Sequence, residues 1–180
     1  MLIREILMKG CICVVGFNRE KAIEKILSCL QNLNYVGSYS LDLVVSIDYS
    51  INQEIVVSKC LNFDWKHGKY KLINHNINLG LKKHILSCGD LTNYYDFVVI
   101  LEDDLIVSPN FMDYVLSALD NVKTDSVGGF SLYSYLKNED DKSRFTPFID
   151  GSDNYYLQFP SSWGLVVTKE QWRSFREWFN

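Results

Sequence analysis

The sequence has 180 residues, 47% of them apolar and 22% charged, with a formal net charge of −4. That length supports one domain with a real core, and the composition is that of an ordinary globular protein. The acidic balance argues against a nucleic-acid binder, which usually carries a basic face, but leaves room for a local pocket that takes a small anion.

The elements follow in chain order. Cys11–Val15 is an unbroken apolar run closed by Gly16, the mark of a strand covered on both faces. Asn18 is placed to cap the helix that follows, in which Ala22, Ile23, Ile26, Leu27, Leu30 and Leu33 recur at helical spacing. Leu41–Ile47 is a second strand with Asp48 at its carboxyl end. Gln53–Leu61 reads as a short helix, Tyr70–Ile73 as a third strand, and Asn78-Leu79-Gly80 as the start of a helix running to about Leu91. Phe97–Leu101 is the most apolar strand, and Glu102, Asp103 and Asp104 follow it directly. Ser108-Pro109 predicts the next helix start, continued by Phe111, Val115, Leu116, Leu119 and Val122. Ser126–Leu132 is a strand weakened by Gly128 and Gly129, residues 137–153 form a polar loop, and Tyr155–Phe159 is a short strand. Leu165-Val166-Val167 is strand-like. Thr168-Lys169-Glu170-Gln171 is a capping-box sequence opening a helix with Trp172, Phe175 and Trp178.

Alternating strands and helices predict an α/β domain: a mostly parallel sheet with helices on both faces, in three layers. Ligands of such sheets bind at the carboxyl ends of the strands. That rule selects Phe17-Asn18-Arg19, Asp48 and the acidic triplet.

Three consecutive carboxylates after a buried strand repel one another and lose stability unless a positive partner meets them. In extended backbone Glu102 and Asp104 point one way and Asp103 the other. One face can therefore hold a divalent cation, Mn2+ or Mg2+ by the oxygen chemistry, with ligand phosphates completing the shell. Asp48 is suited either to accept a nucleobase N–H or ribose hydroxyl, or to shape the turn before Tyr49-Ser50. Arg19, in the first helical turn, opposes the helix dipole unless an anion binds there too. Trp163 is placed either to stack on a sugar or to pack in the core, with Gly164 allowing close backbone approach. His67, His75 and His84 lack metal-ligand spacing, and His75 after the third strand reads as a structural histidine.

The five cysteines, Cys11, Cys13, Cys29, Cys60 and Cys88, are odd in number and include no Cys-x-x-Cys pair. They read as buried thiols in a reducing compartment. Arg4, Glu5 and Lys9 interrupt the early apolar stretch, so no signal peptide is expected. No run approaches the ~20 apolar residues of a membrane span. A cytoplasmic protein is expected, compatible with peripheral membrane association through other parts or partners.

Glu102-Asp103-Asp104 followed by Leu105-Ile106-Val107-Ser108-Pro109-Asn110-Phe111 resembles the Glu-Asp-Asp motif, and the helix after it, of GT-A glycosyltransferases, in particular the N-acetylglucosaminyltransferase I-like and family-2-like members. Phe17-Asn18-Arg19 resembles their nucleotide loop, Val45-Ser46-Ile47-Asp48 their second-strand end, and Ser161-Ser162-Trp163-Gly164 their Trp-Gly segment. The likeness runs from about Cys11 to Trp178 and is loose in the middle. It implies a GT-A fold and transfer of a sugar, with inversion, from a uridine-linked nucleoside-diphosphate donor to a hydroxyl of a glycan or glycolipid. It implies that Asp104 is the metal ligand, that Glu102 supports it, that Asp103 meets the ribose, and that Phe17, Asn18, Arg19, Asp48, Trp163 and Gly164 line the donor site. The relatives place their general base beyond the helix that follows the Trp-Gly segment, which here points past Asn180; Asp150 and Asp153 are the nearest acids before Trp163. A donor-binding module that needs further residues or a partner for transfer is the alternative. A phospho-acceptor receiver would carry its paired acids after the first strand, and a nucleotidyltransferase would carry a glycine-rich loop there.

Overall fold

The computed structural model describes residues 8–37, 40–121, 126–138, 140–147, 151–152, 154–159 and 161–179. Six strands form one sheet: β1 (Lys9–Gly16), β2 (Ser40–Ile47), β3 (Tyr70–Asn74), β4 (Phe97–Glu102), β5 (Phe130–Ser131) and β6 (Leu165–Thr168), in the order β3-β2-β1-β4-β6-β5. β1, β2, β3 and β4 run parallel; β6 runs antiparallel to β4 and to β5. The helices are α1 (Glu20–Gln31), α2 (Gln53–Cys60), α3 (Gly80–Gly89), α4 (Phe111–Asn121) and α5 (Lys169–Phe179), with a 3-10 turn at Asp90–Asn93.

The pleat sends alternate residues of the central strands into two cores. Ile12, Val14, Phe97, Val99 and Leu101 face one side, where they pack with Ile23, Ile26, Leu27 and Leu30 of α1, Val56 of α2, and Met112 and Val115 of α4. Cys11, Cys13, Val15, Val98 and Ile100 face the other side, against Cys88 and Ile85 of α3. Cover on both faces explains why β1 and β4 are apolar without alternation. Cys11, Cys13, Cys60 and Cys88 are buried as free thiols, and Cys29 is half-buried. No helix among the described residues is long and apolar enough to cross a membrane.

Several local expectations are corrected. α1 begins at Glu20 with Arg19 at the cap position and no side-chain cap, so Asn18 does not cap it. α4 begins at Phe111, because Ser108 is spent on a turn: its carbonyl accepts from the Phe111 N–H and its hydroxyl from the Asn110 N–H. β5 shrinks to Phe130–Ser131, where it pairs with Val166 and Leu165. Tyr155–Phe159 has no strand among its residues; Tyr155 and Phe159 instead pack rings against Phe145 and Tyr135. The capping box is real: the Thr168 N–H donates to Gln171 Oε1 at 2.9 Å, and the Gln171 N–H donates to Thr168 Oγ1 at 3.3 Å.

Candidate functional site

The parallel ladder continues one residue past each strand and lines up the side chains that matter. The Asp103 N–H donates to the Val15 carbonyl at 3.0 Å, the Asp48 N–H to the Gly16 carbonyl at 2.9 Å, and the His75 N–H to the Ile47 carbonyl at 3.0 Å. His75, Asp48, the Gly16-Phe17 bend and Asp103 therefore form a row along the carboxyl edge of the sheet. β6 enters from the opposite direction. Leu165 pairs with Ile100, so Gly164 and Trp163 reach the level of Leu101 and Glu102.

At the centre of the row, the Arg19 guanidinium forks onto two carboxylates, with one nitrogen on Asp103 Oδ1 and the other on Asp104 Oδ2, the latter at 2.8 Å. The two acids differ sharply in environment. Asp103 is 1% exposed and its Oδ2 has no hydrogen-bond partner, whereas the Asp104 side chain is half-exposed. Burial pushes the Asp103 carboxyl above its ordinary range; the Arg19 charge pulls it down, and the Asp104 charge adds to the rise. Glu102 is partly buried at the end of β4. Phe17 and Asn18 are exposed on the bend leading to Arg19. Gly16 is hemmed in: a Cβ there would come within 2.7 Å of Ile47 and 3.8 Å of Asp103 Oδ2.

Asp48 is buried and accepts three backbone N–H groups: Tyr49 at 2.9 Å, Leu79 at 2.8 Å and Gly80 at 3.0 Å. Gly80 sits at φ +73, a backbone region that suits glycine, and starts α3. Asp48 thus binds the amino terminus of α3 to the end of β2, as a charge-assisted cap. A carboxylate has about four acceptor positions, so one remains.

Sequence reasoning did not anticipate the polar cluster beside it. Ser46 Oγ lies 2.8 Å from His84 Nε2 and 3.2 Å from His75 Nε2, and the two rings meet edge to face. The available signal was the period of two in β2, which puts Ser46 on the same face as Asp48 and under α3. His84 is buried, and its position on α3 relative to Ser46 is a tertiary fact that spacing does not carry.

Trp163 is 42% exposed and packs against Tyr133 edge to face, with ring centroids 4.7 Å apart, while Tyr135 lies nearly parallel to it at 6.3 Å. Gly164 has φ +78, and a side chain there would meet Leu132 at 2.8 Å. Asp150 and Asp153 lie outside the described residues. A cavity of about 300 Å³ opens elsewhere, under α5 at the amino end of β4, between Asp90, Lys169, Trp172, Arg173 and Arg176. Asp90 there already accepts from Trp172 Nε1 at 2.8 Å and pairs with Arg176 at 3.2 Å.

The acidic residues fit a divalent cation of the type that keeps much of its shell in water and phosphate. No cluster of three or more potential metal-ligating side chains exists among the described residues. An exposed Asp104 beside a buried, unpartnered Asp103 oxygen offers one or two carboxylates, the number Mg2+-like sites use.

No family model matches the chain, and no curated protein matches it. Solved structures do. Mannosyltransferase PcManGT from Pyrobaculum calidifontis, in complex with GDP-Man and Mn2+, is similar over 71% of this chain and 36% of its own, at 17% identity and a TM-score of 0.53. TarS 1-349 from S. aureus, in complex with UDP-GlcNAc, is similar over 63% of this chain and 31% of its own, at 21% identity and a TM-score of 0.48. The likeness to the mannosyltransferase shows a shared Rossmann-like GT-A fold. The chain spans about a third of the length of these two structures.

Proposed function

We propose that this chain is the nucleotide-sugar-binding domain of a metal-dependent glycosyltransferase related to the N-acetylglucosaminyltransferase I-like and family-2-like members. The donor is a uridine-linked diphosphate sugar and the acceptor a hydroxyl of a glycan or glycolipid, reached with inversion. The observation that carries this reading is the charged centre at the carboxyl edge of the sheet: Arg19 bridging Asp103 and Asp104. The PcManGT structure, with its GDP-Man and Mn2+, supports the reading through the common fold.

Each residue has a task that its surroundings suit. Asp103 is assigned the ribose hydroxyl, which its buried, unpartnered Oδ2 can accept only once donor binding uncovers it. Asp48 offers the nucleobase N–H its one remaining acceptor position. Phe17 and Asn18 flank the nucleotide on the exposed bend. Arg19, at the cap position of α1, presents its guanidinium together with the positive end of the helix to the donor diphosphate. Trp163 offers a half-exposed ring to the transferred sugar or the acceptor, and Gly164 lets the backbone pass close by. Asp104, supported by Glu102, would hold Mn2+ or Mg2+, which when bound offsets the charge that develops on the leaving diphosphate. We assign no general base.

Titration calorimetry with UDP-N-acetylglucosamine and UDP-glucose in Mn2+ tests the assignment. Asp104→Ala is expected to abolish the Mn2+-dependent part of donor binding; unchanged binding would refute the metal role.

A further inference from the structure

Resting on that metal reading, we infer that Arg19 is a resident counter-ion that competes with the divalent cation for Asp104 and is handed over to the donor diphosphate when both bind. The geometry favours a device of this kind over a plain ion pair. The guanidinium is split between two acids of opposite character. Its contact with Asp103 is buried at the carboxylate end, and burial makes that contact hard to give up, because a buried charge without its partner is strongly unfavourable. Its contact with Asp104 is exposed on both sides and therefore weak. A cation must take the same exposed carboxylate, of which Arg19 holds Oδ2.

A cation on Asp104 would sit within a few ångströms of the guanidinium that holds Oδ2 and be repelled by it. Opening the Asp104 arm of the fork therefore favours the cation. Arg19 is 51% exposed and has room to swing. A bound diphosphate offers it a new anionic partner beside the positive end of α1. Cation and donor each favour the arrangement that the other needs, so their affinities are coupled, and the coupling is reciprocal. Without a donor, Arg19 holds the cation affinity down, and the protein does not retain free metal on its acidic edge.

The test is a titration of the chain with Mn2+ alone, without nucleotide, read by the electron paramagnetic resonance signal of free Mn2+. Arg19→Gln removes the competing charge and is expected to tighten Mn2+ binding about tenfold, within the usual span of site coupling. Arg19→Lys keeps a positive charge for the buried Asp103 but loses the planar fork. It should bind Mn2+ with intermediate affinity, and it serves if the Gln variant does not fold. Mn2+ affinity equal to or weaker than that of the unaltered chain in the folded variants would overturn the inference. Asp104→Asn separates the two levels. If it abolishes Mn2+ binding while the Arg19 variants change nothing, the counter-ion role fails and the metal site stands. If it leaves Mn2+ binding intact, or if no form binds Mn2+ even with UDP present, the metal reading and the inference fall together.

Discussion

At the residue scale, the acidic triplet divides its labour by burial. Asp103 and Asp104 are neighbours in sequence and carry the same chemistry, yet one is 1% exposed and the other half-exposed. Strand alternation would point them apart, but the chain turns at Asp103-Asp104 and the two carboxylates converge on one guanidinium. The partner was not legible. Arg19 lies 84 residues from Asp103, and nothing in the local pattern around Phe17-Asn18-Arg19 names a carboxylate as its contact. The sequence did show that an arginine at a helix start is electrostatically misplaced, which is a request for a nearby anion without its identity. Asp48 was legible only as a choice between ligand contact and turn. The structure shows its oxygens accepting three backbone N–H groups, so Asp48→Ala is expected to destabilise the fold by about 4 kcal/mol or more, since each bond to a charged group contributes roughly 1.5–3. Urea unfolding measures this directly. A loss below about 1 kcal/mol would mean that the α3 terminus finds other acceptors.

At the element scale, the parallel strands could be read because their apolar runs have no polar interruption, and only burial on both faces produces that pattern. The exceptions were short or local. β5 was over-read because Gly128 and Gly129 give little side chain to pack, which leaves two paired residues. The start of α4 was placed too early because Ser108 has turn and cap chemistry alike, and the backbone used it for the turn. One polar residue inside a strand was passed over. Asp42 of β2 is buried and ties three elements together: it accepts from the Lys69 N–H at 2.8 Å and the Tyr95 hydroxyl at 3.0 Å, and pairs with Lys9 of β1 at 3.5 Å. Burial pushes its carboxyl upward, but the Lys69 amide, the Tyr95 hydroxyl and Lys9 outweigh that, and it ends below its ordinary value. A carboxyl depressed in the folded state adds stability above its unfolded value of about 3.9, and that stability is lost as the pH falls through the folded value. The stability gap between the unaltered chain and Asp42→Asn should therefore be full at neutral pH and shrink in the acid range below about pH 4. Chemical denaturation across pH measures it, and a gap that widens on acidification would contradict the assignment.

At the scale of the whole molecule, the functional logic follows from topology. Four parallel strands deliver His75, Asp48, Phe17 and Asp103 to a single edge, and the antiparallel β6 brings Trp163 back to the same level from the other side. Chain segments far apart in sequence converge because every strand end in a doubly covered parallel sheet opens onto one rim. The alternation of elements makes that rim legible in the sequence, together with most of the residues on it. The Ser46–His75–His84 cluster and the aromatic packing around Trp163 were not legible, because both depend on which side chains meet across the fold. The central claim is that this rim grips a diphosphate through a cation, and a crystal of the chain soaked with a uridine-diphosphate sugar and Mn2+ tests it most directly. The account predicts anomalous Mn2+ density bonded to Asp104, with the diphosphate between that ion and Arg19; Mn2+ and nucleotide found away from Asp103, Asp104 and Arg19 would contradict it.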